Sequence, residues 1–592
     1  MSAKERFPNL VTLFFARAKA MGDAPFLWRK TAGQWQSLSW TEVALEVASL
    51  ASALQAQGLK PGDPVMLVSE NRPEFCIADL AIMAAGCVTV PTYTTNTTRD
   101  HQHILTDSGA RAVIVSTAKL AQTLMPAVLR SQANIVIGME PLRGMQGQVT
   151  CHLWSDLIAH YPTDIEACAA SQTAKREDLA CIIYTSGTGG APRGVMQHHG
   201  AILCNIEGAD SLLEEDFGRG EEVFLSFLPL SHAYEHSGGQ FLPIMAAGQI
   251  YYAEGLEKLA SNIEEARPTI MVVVPRLFEV LRTRIIKSIE KQGKFPTYLL
   301  GQALRIAAKE QQGRTSLIDL PMKALLARTL KPKVAARFGG RMKALVSGGA
   351  PLNPDVGLFF DAMGLTLLQG YGQTEAGPVI SCNRPRAGIA MDTVGPPLDG
   401  VEVRIAEDGE ILVRGELVMH GYWRNPAETE KALQDGWLHT GDIGEIDARG
   451  RIRITDRKKD LIVNDKGDNV SPQKVEGMLT LQPEIGQAMV HGDRRPHLVG
   501  LLVPDAEWTR EWAQARGRKV EGIEADGDYL AALRAAVDRV NDDLSVIERV
   551  RRFILADEPF TIDNSEMTPS MKIRRHVIRA RYQDRLDALY KG

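Results

Sequence analysis

The sequence has few cysteines, few aromatic residues, no long apolar run and no excess of positive charge. Its seven cysteines stand apart with no C-x-x-C pair, which argues for reduced thiols and against a disulfide framework. A net charge of −5 on 592 residues argues against a general nucleic-acid-binding surface. No stretch approaches the about 20 apolar residues of a membrane-spanning helix. We therefore expect a cytoplasmic protein without nucleic-acid partners; peripheral contact with the inner face of a membrane stays open.

Composition and patterning predict the fold class. Hydrophobic residues make up 44% and charged residues 23% of the chain, which is ordinary for a globular protein. Apolar runs alternate with segments of helical periodicity, for example 65–68, then 73–85, then 88–91. This alternation predicts an α/β fold with doubly wound, mainly parallel sheets. Active sites in such sheets lie at the carboxyl ends of the strands.

Other regions depart from this pattern. Residues 1–60 are predicted to be helical, with Thr41 as a helix N-cap. Residues 276–340 are predicted to be helical and are rich in Lys and Arg; we assign that charge to a solvated face, and a docking surface for a membrane or an acyl chain is the weaker alternative. Period-two alternation from 401 to 414 predicts a β-rich subdomain, and the last 130 or so residues predict a small α+β domain.

The most distinctive stretch is 179–194. An apolar run over 179–183 predicts a buried strand, and Y-T-S-G-T-G-G and then Pro192-Arg193-Gly194 follow it. Glycines let backbone N–H groups approach an anion, hydroxyls add donors, and arginine adds a bidentate positive charge. The stretch lacks the Gly-Lys-Ser/Thr end of a P-loop and the last glycine of G-x-G-x-x-G. It predicts a phosphate-binding loop of another type, with a Gly/Thr-rich surface loop as the alternative.

Three further segments carry candidate binding residues. Gly348 and Gly349 follow a predicted strand, and glycine there lets a flat ring lie against the backbone. Thr374 and Glu375 follow the next strand, and a carboxylate beside a hydroxyl suits Mg²⁺ together with substrate phosphates; Glu375 also fits a helix N-terminus. Asp442 is predicted to lie in a tight turn, where its carboxylate accepts hydrogen bonds from two vicinal hydroxyls such as those of a ribose.

One motif suggests a different class of enzyme. His232, Glu235 and His236 match H-x-x-E-H, an inverted zinc-peptidase motif. Histidines four residues apart share one helix face and can bind zinc, with the glutamate as general base. No third ligand is evident in the sequence. We therefore keep a zinc peptidase as a remote alternative to a strand-to-helix turn in which these side chains line a cleft.

The order of the motifs resembles that of the AMP-forming acyl and aryl adenylate synthetases. The matching segments, in order, are the loop 184–194, S-G-G-A-P-L (347–352), Y-G-Q-T-E (371–375), H-T-G-D (439–442), D-R-K-K-D (456–460) and T-P-S-M-K (568–572). The resemblance covers nearly the whole chain and is strongest to long-chain fatty acyl-CoA synthetases. Two positions of the loop differ from the usual Y-T-S-G-T-T-G-x-P-K-G, because Gly189 replaces a threonine and Arg193 replaces a lysine.

This resemblance implies a two-step reaction. A fatty carboxylate attacks the α-phosphate of ATP and gives acyl-AMP and diphosphate. The thiol of coenzyme A then attacks the acyl carbonyl and expels AMP. ATP, Mg²⁺ and coenzyme A are the implied cofactor and co-substrates, and a fatty acid is the implied substrate.

The resemblance also implies roles for individual residues. Mg²⁺ would be held by Thr185 and Glu375. The β- and γ-phosphates would be cradled by Ser186, Gly187, Thr188, Gly189, Gly190 and Arg193. Adenine would be bordered by Gly348, Gly349, Ala350, Pro351, Gln369, Gly370, Tyr371 and Gly372. The α-phosphate would meet Thr374, with His232 near it and the acyl group. The ribose would be held by Asp442 and Arg457. Lys572 would bridge the carboxylate and the α-phosphate in the first step.

Two domains are implied in the same way: a large adenylation domain over 1–457 and a small mobile lid over 458–592, with a hinge near Lys459. Rotation of the lid would exchange Lys572 for a thiol channel between the two steps. The loop 464–469, N-D-K-G-D-N, replaces a more glycine-rich loop of relatives and bears on the second step. The alternatives are an acyl-AMP ligase that serves a carrier protein and a non-catalytic nucleotide-binding relative. Acyl chain length and oligomeric state have no sequence signal.

Overall fold

The computed structural model describes most of the chain in two compact units. The described residues are 6–142, 148–161, 164–185, 192–311, 313–314, 316–466, 468–568 and 573–591. The first unit comprises residues up to 406 together with 412–440 and 446–453. The second unit comprises 407–411, 441–445 and the residues from 454 onward.

The strands and helices of the described residues are as follows. The strands are β1 (Pro25–Thr31), β2 (Gln34–Ser39), β3 (Pro64–Val68), β4 (Val88–Thr92), β5 (Ala112–Val115), β6 (Ile135–Gly138), β7 (Thr150–Leu153), β8 (Leu179–Thr185), β9 (Arg193–His198), β10 (Val223–Ser226), β11 (Gln249–Tyr252), β12 (Ile270–Val273), β13 (Ala344–Ser347), β14 (Leu367–Gly372), β15 (Val379–Cys382), β16 (Glu402–Ile405), β17 (Glu410–Arg414), β18 (Leu433–Gln434), β19 (Trp437–Ile446), β20 (Ile452–Arg457), β21 (Ile462–Val463), β22 (Asn469–Val470), β23 (Ile485–His491), β24 (Leu498–Pro504) and β25 (Val550–Leu555). The α-helices are α1 (Leu10–Met21), α2 (Trp40–Ala56), α3 (Pro73–Ala84), α4 (Thr98–Ser108), α5 (Ala118–Val128), α6 (Trp154–His160), α7 (Ile165–Ala170), α8 (His199–Phe217), α9 (Ala233–Glu235), α10 (Leu242–Met245), α11 (Leu259–Ala266), α12 (Pro275–Glu290), α13 (Lys294–Gln311), α14 (Leu320–Arg328), α15 (Leu330–Arg337), α16 (Pro354–Ala362), α17 (Pro426–Ala432), α18 (Pro472–Leu479), α19 (Ala506–Ala515), α20 (Gly527–Asp542) and α21 (Arg575–Ala588).

A seven-stranded sheet in the first unit carries the glycine-rich stretch. Its order is β7-β6-β5-β3-β4-β8-β9, and every pair is parallel except β8 with β9. Every residue of β3, β4, β5 and β6 is buried, because helices cover both faces of a parallel sheet. The glycine-rich stretch begins at the carboxyl end of β8.

An eight-stranded sheet in the same unit carries most of the other motifs. Its order is β15-β14-β13-β12-β10-β11-β1-β2. The pairs from β14 through β1 are parallel, and the two outermost pairs are antiparallel. The carboxyl ends of β10, β12, β13 and β14 therefore share one edge. The predicted doubly wound, mainly parallel α/β fold is confirmed.

The prediction for residues 1–60 is only partly right. Helices α1 and α2 form, but β1 and β2 lie between them as an antiparallel hairpin. The N-cap of α2 is Ser39 rather than Thr41: the Ser39 hydroxyl accepts from the Glu42 amide, and the Glu42 carboxylate accepts from the Ser39 amide. This reciprocal capping box satisfies two helix-end donors at once, whereas Thr41 lies inside the first turn.

The β-rich and C-terminal parts agree with the sequence pattern. Strands β16 to β20 make up the β-rich part. In the second unit, β23, β24 and β25 form a sheet whose central strand alternates between two cores. Leu498 and Leu502 pack with Val475 and Leu533 on one face, and Val499, Leu501 and Val503 pack with Tyr582 on the other. The small α+β domain is confirmed in class, since both faces of its sheet are covered by helices.

Candidate active site

The base of the predicted phosphate loop is a β-hairpin. Thr185, the last residue of β8, lies directly opposite Arg193, the first residue of β9. The hairpin therefore brings the predicted metal ligand and the predicted phosphate-binding cation to the two ends of the same loop. The residues between them that we predict to contact phosphate, Ser186, Gly187, Thr188, Gly189 and Gly190, lie outside the described residues.

Arg193 is held in place by two contacts. Its Nη1 donates to Glu428 Oε2 at 2.6 Å, and its guanidinium lies 4.5 Å from the centre of the Tyr422 ring. A planar guanidinium can stack on an aromatic ring in a way that a lysine ammonium does not match. Tyr422 thus gives Arg193 a stacking contact that suits arginine better than lysine. The Arg193 side chain still has about a quarter of its surface exposed.

Tyr422 also links Arg193 to the predicted metal carboxylate. Its hydroxyl donates to Glu375 Oε1 at 2.8 Å. Burial, together with the Glu375 carboxylate, raises the pKa of the Tyr422 hydroxyl above its usual range, so the hydroxyl remains a donor at neutral pH. Thr374 and Glu375 lie in a 3₁₀ turn after β14, and the Thr374 carbonyl accepts from Gln197 Nε2 at 2.7 Å. The ends of both large sheets thus meet at Tyr422.

Sequence reasoning missed Tyr422, Glu428 and Gln197. The Trp423 amide donates to the Gly194 carbonyl at 2.7 Å, so the segment that carries Tyr422 runs beside the hairpin base. These contacts join positions far apart in the chain. A weak signal for Glu428 was available, because Asn425 followed by proline marks a helix start and Glu428 lies in the first turn of α17.

The flat ring that lies against Gly348 belongs to the protein itself. A Cβ atom at Gly348 would lie 2.7 Å from Tyr234 Cζ and 2.9 Å from its hydroxyl oxygen. Tyr234 is fixed by a hydrogen bond from its hydroxyl to the Val346 carbonyl at 2.9 Å. Gly349 is required for another reason, since its φ of +81° lies in the left-handed region. Glycine at 348 is therefore needed by internal packing whatever else binds there.

Beside these glycines lie two buried polar atoms to which the described residues offer no hydrogen-bond partner. Gln369 lies across from Ser347 in the parallel pair β13–β14. Gln369 Oε1 and Ser347 Oγ are both buried and have no hydrogen-bond partner among the described residues. Buried polar atoms are normally paired, so this pair marks a place where a ligand with donors or acceptors fits. Gly370, Tyr371 and Gly372 continue β14 at this edge, and Ala350 and Pro351 follow Gly349 with their side chains exposed.

The H-x-x-E-H residues have other partners, which contradicts the zinc alternative. Glu235 is buried and its Oε1 accepts from the Ser226 hydroxyl at 2.6 Å, and burial raises the pKa of its carboxyl to about 8. His236 Nε2 lies 2.9 Å from Asp79 Oδ2, and His232 Nδ1 accepts from the Tyr234 amide. Within the described residues no three His, Cys, Asp or Glu side chains are placed to hold a metal ion.

The second unit carries the predicted ribose-binding pair. Arg457 Nε donates to Asp442 Oδ1 at 3.0 Å, and the Asp442 side chain is almost fully buried. The expectation of a tight turn at Asp442 was wrong: the residue lies inside the ten-residue strand β19. Lys459 is exposed in the turn that follows β20, and Lys572 lies outside the described residues.

The Gly348–Tyr234 contact leads to a stability prediction. Gly348→Ala is expected to destabilise the protein by about 1–3 kcal/mol, as overpacking of a filled site does, because the new methyl group overlaps a tethered tyrosine ring. Gly301→Ala is the matched control, because Gly301 is exposed in α13 and a Cβ there would meet nothing within 4 Å. This change is expected to raise the free energy of unfolding by about 0.5–1 kcal/mol, since alanine favours a helix more than glycine does. Urea unfolding midpoints check both. Equal midpoints for the two variants would contradict the packing argument.

Comparison with known proteins identifies the family. Residues 14–423 match the family model described as AMP-binding enzyme, and residues 459–592 match the model described as AMP-binding enzyme C-terminal domain. Long-chain-fatty-acid--CoA ligase FadD15 of Mycobacterium tuberculosis is 32% identical, with 98% of this chain and 97% of that protein covered. Long-chain-fatty-acid--CoA ligase 6 of Homo sapiens is 30% identical, with 98% and 88% covered.

Solved structures agree on the fold. The adenylation domain of the carboxylate reductase from Mycobacterium chelonae has a TM-score of 0.78 at 21% identity and covers 100% of this chain and 92% of that one. The anthranilate CoA ligase AuaEII, solved with anthranoyl-AMP, has a TM-score of 0.71 at 20% identity, with 97% and 96% covered. The resemblance seen in the motif order is thereby confirmed, and the chain belongs to the AMP-binding enzyme family, where its relatives include long-chain-fatty-acid--CoA ligases.

Proposed function

We propose that this protein is an AMP-forming long-chain fatty acid–CoA ligase. In the first step a carboxylate oxygen bonds to the α-phosphorus of ATP and diphosphate leaves. In the second step the sulfur of coenzyme A bonds to the acyl carbon and AMP leaves. The observation that supports this most is the contact of Tyr422 with both Arg193 and Glu375. It brings a phosphate-binding cation and a metal-binding carboxylate together at the base of a glycine-rich loop.

Mg²⁺ fits the residues at this base. Thr185 and Glu375 offer a hydroxyl and a carboxylate, which are the oxygen donors that this hard cation takes alongside substrate phosphates. When bound, Mg²⁺ supplies neutralisation of the charge on the phosphates. We propose that Tyr422 orients Glu375 by donating to one carboxylate oxygen, and that the carboxylate would then hold Mg²⁺ through its other oxygen. Arg193 and the loop residues 186–190 bind the β- and γ-phosphates.

Adenine and the α-phosphate are assigned to the strand ends of the first unit, and the ribose is assigned to the Asp442–Arg457 pair of the second unit. Gln369 Oε1 and Ser347 Oγ, which have no hydrogen-bond partner in the part of the chain that the structure describes, support an adenine site along 348–351 and 369–372, because a purine amine and ring nitrogens can satisfy such atoms. Thr374 would contact the α-phosphate, with His232 near the acyl group. Asp442 is a buried acceptor fixed by Arg457, as a ribose-binding carboxylate needs to be.

Lys572 and the lid complete the proposal. A carboxylate and a triphosphate repel each other, and a lysine between them would offset that repulsion and stabilise the charge developing at phosphorus. We propose that a lid over 458–592 turns about a hinge near Lys459 between the two steps. The fatty acid and coenzyme A are the proposed substrate and co-substrate, and a carrier protein as the acyl acceptor is the competing proposal.

Diphosphate release separates these proposals. The purified full-length protein is mixed with ATP, Mg²⁺ and carboxylic acids of increasing chain length, with and without coenzyme A. We expect multiple turnovers only with long-chain acids and only when coenzyme A is present. A single turnover that coenzyme A does not change would favour the carrier-protein acceptor. No diphosphate with any acid would contradict adenylation and point to the Gly189 and Arg193 departures.

A further inference from the structure

An apolar patch stands out on the first unit, at the turn before α14 and on α14 itself. Leu317 and Ile318 have 83% and 88% of their surface exposed, and Leu320 and Leu325 have 52% and 37%. Such large side chains are normally scattered singly on a protein surface. Here three of the four lie within four consecutive residues. We call these four residues the apolar patch.

The exposure of the apolar patch is built into the local structure. Asp319, between Ile318 and Leu320, is buried and accepts from Arg305 Nη2 at 2.8 Å and from Lys309 Nζ at 3.2 Å. These bonds tie the 3₁₀ turn Leu317–Asp319 to α13. Since the aspartate faces inward, its apolar neighbours face solvent. In α14 itself, Leu326 is the buried residue among those described.

The charge around the apolar patch is strongly positive. Residues 314–333 carry five basic side chains, of which Lys323 pairs with Glu310 of α13, and one acidic one, Asp319, which is buried in its two ion pairs. The wider helical region 275–340 has 14 Lys and Arg against four Asp and Glu, in a chain whose net charge is −5. Apolar side chains surrounded by Lys and Arg are typical of a segment that lies in a membrane interface, where each basic residue is attracted to anionic lipid.

We propose that the apolar patch and its basic surround dock this protein on the surface of an anionic lipid bilayer. Leu317 and Ile318 enter the acyl boundary, and the exposed Arg314 and Arg328 face the headgroups. A second copy of the chain fits less well, because a symmetric contact would place this positive region against itself. No described helix has both the length and the apolar character to cross a membrane, so the contact is peripheral. If the protein acts on fatty acids, as proposed above, docking would give it access to acyl chains dissolved in the lipid; this part of the inference rests on the proposed function.

Vesicle co-sedimentation tests this docking without any substrate. The full-length protein is mixed with vesicles of phosphatidylcholine alone or of phosphatidylcholine with phosphatidylglycerol, at low and high salt. We expect binding to the anionic vesicles that salt weakens. Leu317→Ser with Ile318→Ser is expected to lower the partition coefficient about tenfold or more, given the apolar area withdrawn from lipid. Arg314→Ser with Arg328→Ser is expected to lower it on anionic vesicles only.

The chain offers a matched control for the apolar change. Val546 and Ile547 are adjacent and 67% and 40% exposed, but their sequence neighbours have mixed charge, since Asp542, Asp543 and Glu548 are acidic and Arg549, Arg551 and Arg552 are basic. Val546→Ser with Ile547→Ser is expected to leave vesicle binding unchanged. Thermal unfolding midpoints confirm that each variant is folded.

Three outcomes would overturn the proposal. The first is that the wild-type protein does not bind anionic vesicles. The second is that the patch variant and the control variant lose vesicle binding equally. The third is that the protein sediments as a dimer, that the patch substitutions dissociate this dimer, and that no vesicle binding is seen. The vesicle experiment contains no substrate. A negative result in it therefore does not argue against the proposed ligase activity, and a negative result for diphosphate release does not argue against membrane docking.

Discussion

Replacement of Lys572 by alanine is expected to lower the rate of diphosphate release by about 10²- to 10³-fold, the range found when one preorganised donor is removed from a charged transition state. The expectation rests on the position of this lysine in T-P-S-M-K (568–572) and on the charge of the reactants. A carboxylate that approaches a triphosphate meets repulsion at the moment when negative charge develops on phosphorus. An ammonium between the two groups acts on that step alone.

Thiolysis provides the internal control for Lys572. Acyl-AMP supplied from outside already has its carboxyl–phosphate bond, so the attack of the coenzyme A thiol on it should proceed in Lys572→Ala within about threefold of the wild-type rate. Lys519→Ala, at an exposed lysine of the second unit, should leave both half-reactions unchanged. An equal loss of both half-reactions in Lys572→Ala would show that the residue supports the fold or the nucleotide site generally, and would contradict the proposed role.

The fold was largely predictable because its strongest signals are local. Buried parallel strands appear as short apolar runs, and the runs 65–68 and 88–91 predict β3 and β4 on that basis. The β1–β2 hairpin was missed although its turn is tight. Ala32 and Gly33 both have positive φ, 51° and 79°, which matches the two-residue turn that hairpins favour. Alanine in the place of the usual asparagine hid that signal.

Asp442 shows how a glycine can mislead. Gly436 and Gly441 both precede Asp442, and glycines at such spacing favour a turn. Both do have positive φ in the structure. The chain nevertheless continues as β19, where Gly441 is accommodated inside the strand. The predicted acceptor role of Asp442 does not depend on the turn, because a strand residue beside Arg457 is equally well fixed.

Without the family resemblance, the residue pattern predicts site contacts only between positions that are close in sequence. Thr185 and Arg193 are eight positions apart and belong to the one loop that the glycines between them predict. Tyr422 is 47 positions from Glu375 and more than 200 from Arg193. The contact of Tyr422 with these two side chains depends on the order of strands in the sheets and on the course of the chain after β17. The sequence around Tyr422 contains no signal for either.

Glu375→Gln is expected to lower the rate of diphosphate release by about 10²- to 10³-fold and to raise the Mg²⁺ concentration needed for half-maximal rate. The change keeps the size of the side chain and an oxygen that can accept from Tyr422, but it removes the negative charge that a hard divalent cation needs. Glu430→Gln, at an exposed glutamate of α17, is the matched control and should change neither quantity. A rate loss in Glu375→Gln without a change in Mg²⁺ dependence would contradict the metal-ligand role.

Tyr422→Phe separates orientation of the carboxylate from its charge. The ring that stacks on Arg193 is kept, and only the hydrogen bond to Glu375 Oε1 at 2.8 Å is lost. One such bond is worth about 0.5–1.5 kcal/mol net, so a two- to tenfold rise in the Mg²⁺ requirement, with little change in the ATP requirement, is expected. Tyr422→Leu removes the ring as well and should raise both requirements, because Arg193 then loses its stacking partner. If phenylalanine and leucine weaken ATP binding equally while the Mg²⁺ dependence stays that of the wild type, Tyr422 serves Arg193 alone and does not position Glu375.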